Sequence, residues 1–240
     1  MSSFLTRRTF MVGTGGALLA TACGADPVPV PDADAVSALV PADFAALGQC
    51  RLLAAAGAGP FPLDQQFARE DITDGYPGHP LRLGFRVVDR NCEPIAASSA
   101  EIWHCDSTGD YSAFTDNGGG KDEAEGSTFL RGTRSANADG IVEFHTIYPG
   151  WYPGRAIHIH LTVRVDGGPV LTSQLYFDDG YTAAVHADAP YSQFGPPDTA
   201  TGVDFLAGDV VANGSLLSLS PAQTRSGAGT LGLINLAADA

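Results

Sequence analysis

Apolar and polar residues alternate in short runs along most of this chain. Leu81, Leu83, Phe85 and Val87 are separated by Arg82, Gly84 and Arg86, a period of two that puts the apolar set on one face of a β-strand. Residues 100–105, 140–147, 157–165 and 170–177 read as further short strands, with later ones at 215–219 and 230–236. Segments 89–94, 137–140 and 166–168 carry the Asp, Asn, Gly and Pro of turns. Helical signals are weak, and residues 41–56 have room for one or two short turns. Strands of this length and spacing predict an all-β domain, an antiparallel β-sandwich with long active-site loops and few short helical turns.

One of these strands carries more than packing. In IYPGWYPGRAIHIH, residues 147–160, His158 and His160 stand two apart and so share a face, while Ile157, Ile159, Leu161, Val163 and Val165 take the other. The Pro- and Gly-rich turn before them brings Tyr152 to the same end, and Tyr111 is the fourth residue of interest. Imidazole nitrogens with hard phenolate oxygens suit a trivalent first-row metal better than structural zinc, which takes Cys and His. The other histidines read differently: His79 as a surface residue, His104 and His145 as packing or ligand-supporting residues, and His186 as a flank of the pocket mouth.

The N-terminus adds an address. TRRTFMV at 6–12 is a twin-arginine sequence, followed by a modest apolar stretch from Met11 to Ala22 and a small-x-small cleavage pattern, Ala20-Thr-Ala22. The apolar run is too short to span a bilayer. Residues 1–22 are therefore expected to be a signal peptide for export of an already folded chain. Cys23 follows directly, and either carries a lipid anchor or does not, since Ala20 stands where a lipoprotein signal usually has Leu. Residues 23–40 read as a tether, Pro- and Asp-rich from 25 to 35, and 41–240 as the folded domain. The protein is expected outside the inner membrane, in the periplasm or beyond, or lipid-anchored there.

Charge narrows the partners. The formal net charge is −14; loss of Arg7 and Arg8 with the leader leaves 11 Lys and Arg against 27 Asp and Glu, or −16. Lys121 is the single lysine. Such a surface repels nucleic acid. Of Cys50, Cys92 and Cys105, the first two lie in loop-like contexts and are the favoured disulfide of an exported protein. Cys105 ends an apolar strand and reads as a buried free thiol. Residues 116–127, DNGGGKDEAEGS, form a polar loop placed to overhang a site after Tyr111.

Four motifs occur in order: IWHCDSTGDYS at 102–112, FLRG at 129–132, YPGWYPGRAIHIH at 148–160 and TSQLYF at 172–177. Together they resemble the intradiol ring-cleavage dioxygenases, the group of catechol 1,2- and protocatechuate 3,4-dioxygenases, and look closest to its exported single-domain branch. That resemblance covers roughly residues 50–191. It implies one non-haem Fe(III) held by Tyr111, Tyr152, His158 and His160. It further implies a catechol-type substrate and O2 as partners, and insertion of both oxygen atoms between the two hydroxylated carbons to give a cis,cis-muconate-type diacid. Two phenolates and a hydroxide would balance the ferric charge, so that the centre can be buried.

By the same resemblance Tyr111 also accepts a substrate proton, and Arg155 stabilises negative charge on the substrate. Gln174 either contacts substrate or supports a ligand, Pro60 lines the pocket in Gly59-Pro60-Phe61, and Trp151 and Tyr148 are walls of the pocket or core residues. Two departures stand out: Ala58 where the family often has Glu, and Ala156 where it often has Pro. The competing classes are a non-enzymatic β-sandwich binder and a zinc hydrolase; the second would need a carboxylate or third His at a matching place. No cation for a substrate carboxylate is evident near the motifs, which favours neutral or polysubstituted catechols. Oligomeric state, monomer or homodimer, stays open.

Overall fold

A computed structural model describes residues 36–48, 50, 52–114 and 126–238. Among the described residues eight strands make two four-stranded sheets: β1 Pro80–Val88, β2 Ser98–Trp103, β3 Arg131–Ser135, β4 Ile141–Ile147, β5 His158–Val165, β6 Gly168–Tyr176, β7 Ser218–Thr224 and β8 Gly227–Ala237. The first sheet runs β4-β1-β8-β7 and the second β3-β2-β5-β6. The expected β-sandwich is the architecture found, with one refinement. β1 and β8 pair in parallel, Leu83 opposite Gly232 and Val87 opposite Leu236, while every other ladder is antiparallel.

The period-two pattern explains the layers. Leu81, Leu83, Phe85 and Val87 face inward from β1 and meet Val142 and Phe144 of β4, Ala100 and Ile102 of β2 and Ile159, Leu161 and Val163 of β5 in one buried core. Full burial of each such side chain contributes about 1.5–3 kcal/mol. The alternate residues point out of the sandwich. On the first sheet they are covered by residues 39–44, where Leu39 and Phe44 pack with Ile141 and Leu233. Phe44 sits in a short 3-10 helix, Pro41–Leu47, which begins where Asp43 accepts a hydrogen bond from the Val40 N–H at 2.7 Å. The fold therefore takes hold before residue 40, the expected end of the tether. Arg82 Nη2 donates to the Ser37 carbonyl at 2.7 Å, and Leu39 is buried. The signal peptide, Cys23 and the rest of the tether lie outside the described residues, as do residues 116–125 of the expected overhanging loop.

Two helices also fall where no strong sequence signal stood, α1 Asp179–His186 and α2 Ala207–Ala212. The Asp178 carboxylate caps α1 by accepting from the Tyr181 N–H at 2.8 Å. Cys50 and Cys92 form the expected disulfide, and Cys105 is the expected buried free thiol.

Candidate metal centre

The outward face of the second sheet carries the polar site. Arg131, Trp103, His160 and Gln174 stand in one row across all four strands, each paired with the next. One step along, His158 is paired with Tyr176. Two loops close over this row. The loop after β2 delivers Tyr111 and the turn after β4 delivers Tyr152. They are pressed together at Gly150, whose N–H donates to the Asp106 carbonyl at 2.9 Å. A side chain at Gly150 would lie 2.6 Å from the Ser107 carbonyl carbon, so only glycine permits this approach.

The four residues expected as ligands converge. His158 Nε2 lies 3.2 Å from His160 Nε2, 3.1 Å from Tyr152 Oη and 3.5 Å from Tyr111 Oη. His158 Nδ1 is 2.7 Å from the Ala156 carbonyl. A carbonyl only accepts, so Nδ1 holds the proton and Nε2 presents a bare lone pair. Burial first, and then the neighbouring Arg155 charge, pull the His158 imidazole down to about 3. Burial and His158 hold His160 well below its ordinary value. Burial raises Tyr152 to about 12 despite Arg155, and pushes Tyr111 well up. All four groups are thus uncharged at neutral pH in the absence of a cation.

This donor set fits a metal ion. Bonds of about 2.0–2.2 Å place neighbouring ligand atoms roughly 3–3.5 Å apart, the range of the three separations measured from His158 Nε2. Two imidazole nitrogens and two phenol oxygens stand within hydrogen-bond reach of one another, and a cation at their centre could take the place of those contacts. A trivalent one would also supply the charge needed to ionise both phenols.

The surroundings hold these groups rigidly. The His160 ring stacks on Trp103 at 5.1 Å with 3° between planes, and Tyr111 stacks on Phe61 at 4.3 Å. The segment through Gly59, exposed Pro60 and Phe61 therefore crosses directly over His160 and Tyr111. Arg155 Nη1 is 3.5 Å from Tyr152 Oη, and its Nη2 donates to Gln174 Oε1 at 2.6 Å. Gln174 Nε2 donates to the Gly57 carbonyl at 3.1 Å. Gln174 thus joins Arg155 to the backbone at Gly57.

Of the two readings open for Tyr148 and Trp151, wall or core, both residues pack on the main core. Tyr148 is wholly buried in the main core, its ring 4.5 Å from Phe177 and its hydroxyl 2.9 Å from Thr182 Oγ1. The inward direction it takes at the end of β4 is what the period-two pattern dictates. Trp151 donates its indole N–H to the Gly195 carbonyl at 3.1 Å and packs on the main core. His186 is buried against Tyr191, ring centroids 4.5 Å apart, rather than at a pocket mouth. His79 is half-buried, bonded through Nε2 to Thr230 Oγ1 at 2.9 Å.

Sequence reasoning also missed residues. Arg131 donates to Ser112 Oγ at 2.7 Å, to the Ser112 carbonyl at 2.8 Å and to the Phe61 carbonyl at 2.8 Å. It thereby ties both sides of the Tyr111 ring to β3. Asp204 accepts from Arg155 Nε at 2.9 Å. The FLRG motif held a signal for the first; nothing local marks the second.

A second cluster, Glu70, Glu143 and His145, has metal-binding residue types with ligand atoms within 4.8 Å of one another. It lies on the outward face of the first sheet. Its two carboxylates are paired with three guanidiniums, those of Arg82, Arg134 and Arg225. A cation placed there would meet a net positive surround, so these residues are a poor metal centre.

Comparison with known proteins matches this picture. A family model described as Dioxygenase covers residues 56–192, more than half of the chain. The chain belongs to the intradiol ring-cleavage dioxygenase family. An intradiol ring-cleavage dioxygenase from Tetranychus urticae is 28% identical, superposes with a TM-score of 0.71, and is matched over 95% of its length and 79% of this chain. The dioxygenase domain of a carbohydrate-binding fusion protein from Streptomyces sp. SirexAA-E, also 28% identical, has a TM-score of 0.58 and is matched over 98% of its length and 78% of this chain. A chlorocatechol 1,2-dioxygenase from Rhodococcus opacus is 29% identical over 121 residues, 42% of this chain and 45% of that relative. The chain thus spans less than half of this curated relative. The stretch matched to the family holds all four converging residues and Arg155, and ends before Asp204.

Proposed function

We propose that this protein is an Fe(III)-dependent intradiol dioxygenase that opens a catechol-type ring between its two hydroxylated carbons and yields a cis,cis-muconate-type diacid. The observation that carries this reading is the convergence of Tyr111 Oη, Tyr152 Oη and the Nε2 atoms of His158 and His160 on one point. A ferric ion held there would chelate the diol and draw electron density from it, opening the ring to O2.

The protein's own groups divide the remaining work. Tyr152 Oη stands 3.5 Å from the Arg155 guanidinium, which favours its phenolate form. Tyr111 is fully buried and stacked on Phe61, surroundings that favour the neutral phenol. Tyr111 Oη is therefore the atom that accepts a proton from the diol, while Tyr152 stays ionised. Arg155, anchored at Nε and Nη2, presents Nη1 to negative charge on the ring. Phe61 and Phe114 pack beside Tyr111, giving apolar surface and keeping water from the reacting carbons.

Arg131 has all three nitrogens bonded to protein, and Arg155 is committed at Nε and Nη2, with Nη1 turned to Tyr152. With the acidic net charge, this supports neutral or polysubstituted catechols over ring carboxylates. Export fits the Cys50–Cys92 disulfide, since such bonds persist in oxidising compartments; on that reading the enzyme acts on aromatics outside the inner membrane, with or without a lipid on Cys23. The test is oxygen uptake by iron-loaded protein with catechol. One O2 per ring and a muconate-type product are expected. Iron-loaded protein that leaves every catechol tried intact would overturn the reading.

A further inference from the structure

Arg155 is gripped at two corners. Its Nε donates to Asp204 Oδ2 at 2.9 Å, and its Nη2 to Gln174 Oε1 at 2.6 Å and Tyr176 Oη at 3.0 Å. A guanidinium is planar, so fixing Nε and Nη2 also fixes where Nη1 points. It points at Tyr152 Oη. Gln174 and Tyr176 ride on β6, part of a four-stranded sheet. Asp204 comes from the turn before α2, beyond the stretch matched to the family.

The Asp204 side chain is fully buried and accepts on both oxygens. Oδ2 also takes the Ala156 N–H at 2.8 Å, two residues before His158. Oδ1 takes the Leu206 and Ala207 N–H groups at 2.7 and 3.1 Å. Next to it Phe205 is 78% exposed, yet its ring lies 5.5 Å from Arg155 Cζ and screens the guanidinium from solvent. A buried carboxylate with every acceptor direction used is a device for orientation.

We infer that Asp204 is a positioning residue for the reaction, holding Arg155 so that Nη1 faces Tyr152 and the bound diol. The inference rests on the proposed ring cleavage, and it predicts coupling. Asp204→Asn removes the charge opposite the guanidinium and keeps one acceptor oxygen for two pairs of donors, so Arg155 loses its ionic anchor and Nη1 its aim.

The experiment is a double-mutant cycle with Arg155→Met on the iron-loaded enzyme. Asp204→Asn should lower kcat about tenfold to a hundredfold, below the loss typical of removing a charge-stabilising donor outright, with KM changed far less. In the Arg155→Met background it should change kcat by less than about twofold, because the two act as one unit. A second readout needs no turnover: the phenolate-to-iron absorption band should move to longer wavelength in Asp204→Asn, as in Arg155→Met, with iron content unchanged. Asp204→Ser, which keeps a hydroxyl acceptor for the α2 N–H groups but cannot reach Arg155, should behave alike and guards against a folding defect. Equal losses in both backgrounds, or a band fixed at the wild-type position, would overturn the inference. Wild-type protein that shows the band but cleaves no ring would refute the dioxygenase reading and leave the band test standing.

Discussion

Gly59→Ala is a small change aimed at the most crowded part of the site. Gly59 has φ +74, and an added Cβ would lie 2.8 Å from His160 Cε1 and 3.4 Å from its Nε2. Left-handed backbone costs a non-glycine residue about 1–2 kcal/mol, and overpacking a tight contact adds about 1–3 kcal/mol. The ring cannot simply retreat, since its other side stacks on Trp103, itself 3% exposed. Some of the misfit therefore passes into the position of Nε2. Metal sites tolerate displacements of only about 0.2 Å, and disturbing the support of a ligand typically costs about 10–100-fold in metal affinity. Thermal unfolding should fall by about 4–20 °C, at about 2–4 °C per kcal/mol for a chain of this size. Iron affinity, measured by competition with a chelator, should fall at least about tenfold. Gly57→Ala is the control: its Cβ would find open space, with Gly59 N nearest at 3.9 Å. Wild-type iron affinity in Gly59→Ala would refute the cradle as described, and so would equal losses in both variants.

Other expectations test the frame around the site. Glu143 is held down to about 2: burial works against ionisation, but His145, Arg82 and the Leu39 N–H outweigh it. Its carboxylate therefore stabilises the fold above the ordinary value near 4.5, and that contribution is lost as pH falls from there toward 2. A shift of this size is worth at most about 3 kcal/mol, and partial solvent screening reduces it to about 1–2 kcal/mol. Urea unfolding of Glu143→Gln should show that deficit in full at pH 7 and less than half of it at pH 3; a constant gap would contradict the linkage. Cys92→Ser opens a bond between residues 42 apart and should cost about 3–4 kcal/mol on the loop-entropy relation. Equal melting of oxidised and reduced wild type would contradict this. Tyr152→Phe and His160→Ala should each lose iron and ring cleavage together, as iron content and oxygen uptake would show, and full turnover by either would refute the ligand set.

The strands were legible because each buries one face, and the histidine pair because a strand sorts neighbours by twos. β3 was not, since Arg131-Gly-Thr-Arg-Ser135 has no apolar alternation. Its place is set instead by pairing with β2 and by the buried bonds of Arg131 to Ser112 and Phe61. The parallel pairing of β1 with β8 joins segments nearly 150 residues apart, and no local pattern encodes it. α1 and α2 are short and rest on the caps from Asp178 and Asp204 more than on propensity. Tyr148 and Trp151 sat in the motif that carries the site, yet sequence proximity to Tyr152 did not decide their direction. Packing did, sending one into the core and the other to the Gly195 carbonyl. Asp204 was hidden for the opposite reason, being remote in sequence and adjacent in space.

Anomalous scattering at the iron edge from crystals of the iron-loaded protein asks where the metal sits. One peak within bonding distance of Tyr111 Oη, Tyr152 Oη, His158 Nε2 and His160 Nε2 is the predicted result. A peak among Glu70, Glu143 and His145 instead, or those four side chains drawn away from a bound iron, would contradict the account.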